Sequence, residues 1–289
     1  MGIDPLDAFL WTFRRSEKDV IKLYDALSDV MTLATGGHMI NFGLWDDTTK
    51  DPVAAQQNLC DIFAEMAALE DSQVILDVGC GYAAPAARWH NCYASEFVCV
   101  NINLGQLQDA IKNPDVESIC DTGGSGIRLV NATATKMPFA DSSADRVLAF
   151  ESPQHFRPLE SFLAEARRIL KHGGMLVLAL PTLSEAVSSP LVKLGLLAMT
   201  WSSEHYSSGY VLSLLKENGF DILERRSIGS QVYRPLADYY AQNRTDIRRR
   251  LLSTYPGYVE TILDRSMQKM AQVSDDSIVE YAMISCKKV

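Results

Sequence analysis

The stretch Val74-Ile75-Leu76-Asp77-Val78-Gly79-Cys80-Gly81-Tyr82-Ala83-Ala84 decides the fold of this chain. Its aliphatic and β-branched beginning predicts a buried strand over residues 74–78. The two glycines that follow predict a tight turn, because glycine lets a ligand or a second backbone segment approach the main chain closely. A buried strand that passes through such a turn into a helix is typical of the first unit of a parallel α/β sheet.

Short β-rich runs alternate with helical runs after this turn. Strands are predicted at 97–102, 127–131, 146–151 and 175–180. Between the last two, apolar residues recur at helical spacing from Leu159 to Leu170 and stop at His172-Gly173-Gly174. Alternation of this kind favours a parallel sheet covered by helices on both faces.

The segments on either side of the sheet region are mostly helical. The first part predicts helices at 19–31 and 52–69, separated by a loop through Gly36 and Gly37. Beyond residue 181 the pattern predicts an apolar helix at 190–201, a helix ending at Asn218-Gly219, a strand at 221–227, helices over 235–273 and a final strand at 278–287. We therefore expect a helical N-terminal lid (1–70), an α/β core (71–233), a helical cap (234–275) and a last core strand (276–289).

Composition narrows the function classes. The chain has 289 residues, 47% hydrophobic content and a net charge of −9, which argues against binding a phosphate backbone. The tight basic run at Arg248, Arg249 and Arg250 is interpreted as a solvated helix face. Six cysteines without a C-x-x-C pair or paired Cys/His spacing predict reduced thiols and no metal site. No segment resembles an export signal or membrane span, so we expect a cytoplasmic protein.

The glycine turn by itself leaves two ligand classes open. Gly79, Gly81 and Ala84 formally satisfy the fingerprint of nicotinamide enzymes, and a turn that only packs helix on strand would look the same. Asp77, however, would repel a pyrophosphate and suits a cationic amino-acid ligand better. The second strand ends at Asn101, where nicotinamide enzymes usually carry an acid for the ribose. A nicotinamide oxidoreductase and a non-catalytic cofactor-binding protein remain the alternatives.

Three motifs in order make the chain resemble the class I S-adenosylmethionine-dependent methyltransferases, whose fold is a Rossmann-like, doubly wound, mostly parallel sheet. They are Asp77-Val78-Gly79-Cys80-Gly81, then Met137-Pro138-Phe139 with Asp141 and Ala144-Asp145, then Arg168-Ile169-Leu170-Lys171-His172-Gly173-Gly174. Tyr24 and the segment Asn41-Phe42-Gly43-Leu44-Trp45 further resemble the subgroup that methylates natural products, sugars, isoprenoids and sterols. The resemblance implies S-adenosylmethionine as cofactor and a small-molecule acceptor.

The resemblance also implies roles for individual residues. Asp77, Gly79 and Gly81 would surround the methionine end of the cofactor, and Asn101, Ile102 and Gln106 the ribose and adenine. Asn101 departs from the usual acid. Thr133 replaces an Asp, so the adenine contact of Thr133 would be lost or replaced by the neighbouring backbone at Ala132 and Ala134. Tyr24 and Trp45 would belong to the lid over the cofactor.

Glu151 and His155 follow the fourth predicted strand, at the sheet edge where ligands bind. An unperturbed imidazole suits a base at neutral pH, so His155 is the candidate for removing a proton from an acceptor hydroxyl. Glu151 would orient His155 or contact the cofactor. The pocket walls would come from Tyr24, Trp45, the run from Leu194 to Trp201, Tyr206, Tyr233, Tyr239 and Tyr240. Oxygen, nitrogen and carbon acceptors all remain open; no nucleic-acid partner and no membrane insertion are expected, and a homodimer is allowed.

Overall fold

Seven strands form one sheet in the computed structural model, which describes residues 16–93, 95–120, 126–185, 193–194, 197 and 204–289. Their bounds are β1 Val74–Val78, β2 Glu96–Asn101, β3 Ile127–Asn131, β4 Ala144–Phe150, β5 Leu170–Leu183, β6 Phe220–Ser227 and β7 Val279–Lys288. The spatial order is β3-β2-β1-β4-β5-β7-β6. Strands β1 to β5 pair in parallel, and β6 pairs antiparallel with β7. The predicted doubly wound, mostly parallel α/β sheet is confirmed.

The order in which the chain adds strands to the sheet reverses at β1. The chain builds β2 and β3 on one side of β1, then crosses to build β4 and β5 on the other. In such sheets the connections after the two central strands diverge to opposite faces and leave a crevice at the carboxyl ends, where ligands bind. The candidate site is therefore expected in the crevice between β1 and β4.

Nine helices of the described residues accompany the strands. Their bounds are α1 Glu17–Thr35, α2 Pro52–Ala67, α3 Ala84–Cys92, α4 Leu104–Ala110, α5 Pro114–Glu117, α6 Leu159–Ile169, α7 Ser208–Glu217, α8 Tyr233–Leu252 and α9 Gly257–Asp275. The first of them begins with a capping box, in which Ser16 and Asp19 bond reciprocally. None of these helices is long and apolar enough to cross a membrane.

The chain divides into two units, each with its own core. The helical unit comprises Met1–Leu59, Pro181–Ser207 and Ile228–Tyr281, and the sheet unit comprises Cys60–Leu180, Ser208–Ser227 and Ala282–Val289. In the helical unit, α1, α8 and α9 pack around Val30, Tyr240, Ile247 and Val259. In the sheet unit, Phe63 lies between Trp89 and Phe150, with ring centroids 5.8 and 4.7 Å away.

The structure refines several predicted boundaries. The predicted stop at His172-Gly173-Gly174 lies inside β5, since α6 ends at Ile169 and the strand begins at Leu170. Gly173 has a φ of 73°, and the β4–β5 register slips in this region, so the glycines form an irregularity in the strand. The helical region of 235–273 is two helices, because Pro256 caps the second. Most of the predicted helix at 190–201, including Trp201, lies outside the described residues, as do residues before Ser16.

Motif residues far from the glycine turn hold the sheet unit together. Arg168 donates to Glu165 and Asp141 at 2.7–2.9 Å, and to the backbone carbonyls of Phe139 and Met137 at 2.7 and 3.2 Å. Asp145 accepts from the N–H of Val74 at 3.0 Å and from Lys171 at 2.8 Å. The second and third motifs therefore stabilise the fold around β1, β4 and α6.

We expect Arg168→Lys to lower the free energy of unfolding by about 1.5–3 kcal/mol, because one ammonium cannot replace a fork of charge-assisted hydrogen bonds. Denaturant titration of the full chain measures the effect. Arg226→Lys is the matched control: the Arg226 side chain forms an exposed ion pair with Glu224, so its change should stay within about 0.5 kcal/mol. Equal effects in both variants would contradict the structural role of Arg168.

Candidate active site

The turn after β1 is held by contacts to both neighbouring strands. The N–H groups of Gly79 and Cys80 donate to the carbonyl of Val100 on β2, at 2.7 and 3.2 Å. On the other side, the hydroxyl of the buried Ser152, just after β4, donates to the carbonyl of Val78 at 2.6 Å. The ends of β1, β2 and β4 are thereby fixed against one another.

Glycine is the only residue type that fits at position 79. Its φ is 82°, and a Cβ there would lie 2.3 Å from Cβ of Ser152, a distance that real side chains do not reach. Gly81 also has a positive φ, 56°, which a branched side chain would strain. Sequence analysis identified both glycines but missed Ser152, since a serine after a strand carries no signal of its own.

Asp77, the acidic residue of β1, is buried, and no described residue hydrogen-bonds or ion-pairs with its carboxyl group. Burial raises the pKa of Asp77 to about 7, because the charged form is poorly solvated in the sheet. A carboxylate in this position gains most from a cationic ligand. Asp77 is therefore fitted to hold an ammonium group such as that of an amino acid.

Asn101, the last residue of β2, is hydrogen-bonded to Gln106 on α4. The Asn101 amide donates to Oε1 of Gln106 at 2.9 Å and to the carbonyl of Gly81 at 3.3 Å. Its Oδ1 remains as the acceptor that a ribose hydroxyl would need. Asn131, which sequence analysis missed, donates to the carbonyls of Asn101 and Ile102, both at 2.9 Å, and so fixes this segment.

Thr133 is engaged locally. Its Oγ1 lies 3.0 Å from Oγ1 of Thr135 and accepts from the Thr135 N–H at 3.3 Å. The Ala132 N–H donates to the carbonyl of Asn101 at 3.2 Å. The bond from Ala132 places the 132–133 backbone beside the end of β2. The Thr133 hydroxyl is hydrogen-bonded within its own turn, to Thr135.

Glu151 and His155 lie in the segment after β4 that carries Ser152. Glu151 has a φ of 54°, a left-handed conformation that is uncommon outside glycine and concentrates at functional sites. Its carbonyl accepts from the Gln154 amide at 2.6 Å. Burial lowers the pKa of His155 to about 4, well below the unperturbed value that sequence analysis assumed. The imidazole is consequently neutral at pH 7, and its ring has a nitrogen able to accept a proton.

Tyr24 and Trp45 belong to the helical unit. Tyr24 is half-buried on α1, and Trp45 is buried with its ring 5.5 Å from that of Tyr239. Their predicted contact with the cofactor stays a prediction. The predicted pocket residues Tyr233 and Tyr240 are buried on α8, and no described group of three or more His, Cys, Asp or Glu residues is arranged to hold a metal ion.

The chain matches the family described as methyltransferase domain over residues 76–178. It is 27% identical to the erythromycin 3''-O-methyltransferase of Saccharopolyspora erythraea, over 82% of this chain and 79% of that one. It is 28% identical to the O-methyltransferase resE of Aspergillus sclerotiorum, over 79% and 85% of the two chains.

The fold is shared with solved methyltransferases. The geranyl diphosphate C-methyltransferase from Streptomyces coelicolor, solved with Mg2+, geranyl diphosphate and S-adenosyl-L-homocysteine, superposes with a TM-score of 0.71 over 100% of both chains at 13% identity. The matched domain begins in β1 and runs through the glycine turn and β4 into β5. With the three ordered motifs and the buried carboxylate beside that turn, these similarities identify the matched region as the domain of a class I S-adenosylmethionine-dependent methyltransferase.

Proposed function

We propose that the chain transfers the methyl group to a hydroxyl oxygen of a small, partly apolar acceptor. The observation that carries this proposal is the neutral imidazole of His155, on the same short segment as the Ser152 that is bonded to the end of β1. A hydroxyl must lose its proton on methylation, and the ring nitrogen of a neutral imidazole can accept it. Two relatives are named O-methyltransferases, which favours the same chemistry.

Asp77, Gly79 and Gly81 are proposed to hold the methionine end of the cofactor. When bound, S-adenosylmethionine supplies a methyl group on a positively charged sulfur. The carboxylate of Asp77 would pair with the ammonium group, and the glycines would let the ligand approach the backbone. Glu151, whose φ is 54°, would contribute to the cofactor site on the β4 side.

Asn101, Ile102 and Gln106 are proposed to bind the ribose and adenine. Asn101 keeps Oδ1 for a ribose hydroxyl, because its amide nitrogen is already engaged by Gln106 and Gly81. The adenine amino group would be recognised by the backbone at Ala132 and Thr133, since the Thr133 hydroxyl is bonded to Thr135.

His155 is proposed as the proton acceptor in the transfer. As the hydroxyl oxygen bonds to the methyl carbon, its proton passes to the ring nitrogen of His155. A conjugate acid with a pKa of about 4 releases that proton readily to water, which restores the base for the next cycle. Such assistance typically raises a rate about a hundred- to ten-thousandfold.

We also propose that the protein works in the cytoplasm with its thiols reduced, as no two cysteines in the described part of the chain form a disulfide bond. A homodimer stays a prediction of the sequence analysis.

We expect the affinity of the full chain for S-adenosylhomocysteine to rise about tenfold from pH 6 to pH 8, because the ligand ammonium needs ionised Asp77 and about one carboxyl in ten is ionised one unit below its pKa. In Asp77→Asn the affinity should be at least about tenfold weaker at pH 8 and should not follow pH. Calorimetry measures both effects. Asp61→Asn, which alters an exposed carboxylate of the same unit, should behave like the parent.

The stability of the ligand-free protein gives an independent check on Asp77. A carboxyl whose pKa is raised on folding binds more protons in the folded state, so its contribution to stability is present below about pH 4 and is lost as the pH rises through about 7. Asp77→Asn should remove this part of the pH dependence. An unchanged pH profile would mean that folding does not raise the pKa of Asp77.

We expect His155→Gln and His155→Ala to lower kcat at least about a hundredfold while S-adenosylhomocysteine affinity stays nearly constant, since a base acts mainly in the transition state. The assay is transfer of radiolabelled methyl to a series of substituted phenols and alicyclic alcohols at saturating cofactor. The loss should shrink as the acceptor hydroxyl becomes more acidic.

The pH dependence of kcat separates this desolvated histidine from an ordinary one. Because the pKa of His155 is about 4, kcat should be flat between about pH 6 and pH 8. A fall of kcat near the unperturbed histidine value would argue against a desolvated His155, and a small effect of both variants on every hydroxyl acceptor would rule out the base.

A further inference from the structure

An apolar cavity of about 170 Å³ lies within the helical unit, bordered by α1, the segment 41–45, the start of α2, α8 and α9. An engineered cavity of about 150 Å³ binds benzene, so this one accepts an apolar group at least as large as a six-membered ring. The described residues that border it include no Asp, Glu, Lys, Arg or His. A charged group placed there would be unpaired and poorly solvated.

Two amide side chains at the cavity wall use their nitrogens in hydrogen bonds, while their oxygens accept none from the described residues. The Asn41 amide nitrogen donates to the carbonyl of Phe42 at 2.6 Å, and that of Gln56 donates to the carbonyls of Met39 and Asn41 at 3.0 and 2.8 Å. These bonds determine which end of each amide is nitrogen, because an oxygen there would face another oxygen. Asn41 Oδ1 and Gln56 Oε1 have no hydrogen-bond partner among the described residues.

Trp45 and Ser266 add a donor and a hydroxyl to the same wall. The indole Nε1 of Trp45 and Oγ of Ser266 also lack hydrogen-bond partners within the described ranges. All four side chains belong to residues that are at most 9% exposed. A buried polar group without a hydrogen bond destabilises the fold, and four such groups around one cavity point to a ligand that supplies the missing bonds.

The wall is rigidly placed before any ligand arrives. The Leu44 N–H donates to the carbonyl of Ala55 and the Trp45 N–H to that of Gln231, both at 2.9 Å. Gly43 allows this close approach, since a Cβ there would lie 2.4 Å from Cβ of Ala55. Preorganisation of this kind lowers the entropic cost of binding. The role of the Asn41–Trp45 motif is thus to fix this part of the cavity wall.

We propose that this cavity binds an uncharged, largely hydrocarbon ligand that carries at least one hydroxyl group. The ligand oxygen accepts from Trp45 Nε1, and its hydroxyl donates to Asn41 Oδ1 or Gln56 Oε1, with Ser266 as a further partner. This inference rests on the proposed function, in that a ligand of this chemistry is the methyl acceptor. It names neutral terpenoid or alicyclic alcohols as the substrate class and excludes phosphorylated ones.

Two probes of equal hydrocarbon content test the charge rule. Geraniol should bind the full chain in calorimetry and raise its melting temperature, with or without S-adenosylhomocysteine. Geranyl diphosphate, the ligand of one structural neighbour, should do neither at the same concentration. Absence of geraniol binding, or equal binding of both probes, overturns the proposal; the first result would leave the cavity to water.

Trp45→Phe tests the polar wall, because it removes the N–H and keeps an aromatic ring beside Tyr239. Geraniol affinity should fall roughly three- to tenfold. Trp89→Phe is the matched control, since the Trp89 N–H already donates to the carbonyl of Cys60 at 3.0 Å in the sheet unit; geraniol affinity should stay at the parental value. An equal loss in both variants, or none in Trp45→Phe, contradicts the assigned contact.

Ala34→Phe places a ring into the cavity from α1, and geraniol binding should be lost while S-adenosylhomocysteine still binds. Loss of both ligands together with the fold would be visible in the melting curve, and Ala34→Leu then serves as the milder filling variant. The two proposals fail separately: geraniol binding that survives Asp77→Asn supports the cavity whatever the fate of methyl transfer, whereas methylation of an acceptor without geraniol binding sinks the cavity alone.

Discussion

The backbone of β1 and the segment after β4 approach so closely that only glycine fits between them, and the site depends on this contact. Ser152 reaches across to bond the last carbonyl of β1, and its Cβ occupies the space that any side chain at Gly79 would need. The bond joins the end of β1 to the segment after β4, at the point where the strand order reverses. Glu151 and His155 gain their places from the same contact, since they flank Ser152.

Burial sets the chemistry of the two titratable groups near this contact in opposite senses. It raises the pKa of Asp77 to about 7 and lowers that of His155 to about 4, because both charged forms lose solvation. The buried carboxyl of Asp77, with no partner in the described chain, is suited to a cation. The half-buried imidazole of His155 stays neutral at pH 7, although its lowered pKa makes it a weaker base than an exposed histidine. One physical effect thus produces a cation-binding group and a proton acceptor in one sheet unit.

The two units differ in how fully these polar side chains are hydrogen-bonded. In the sheet unit the motif residues Arg168 and Asp145 are saturated with partners, as expected for groups that stabilise a fold. In the helical unit, four polar atoms around an apolar cavity have none among the described residues. The second and third motifs therefore mainly hold the sheet together, whereas the first motif and the Asn41–Trp45 segment carry the polar groups proposed to bind ligands.

Local pattern was sufficient for the strands and the glycine turn. The predicted bounds of β1 and β3 agree with the structure, because short aliphatic runs and glycines act through neighbours in the chain. The same pattern could not separate the two helices at Pro256 or find the irregularity at Gly173, where a slipped register decides the geometry.

Sequence by itself also determined the cofactor class, through three motifs in order, and brought forward Asp77, Asn101 and His155. Only tertiary structure decided the pKa of Asp77 and His155, the engagement of the Thr133 hydroxyl, and the partnership of Ser152 with Gly79. It alone revealed the unsatisfied atoms of Asn41, Trp45, Gln56 and Ser266. The reason is physical: desolvation and hydrogen-bond satisfaction depend on what surrounds a group in space, and those neighbours come from distant parts of the chain.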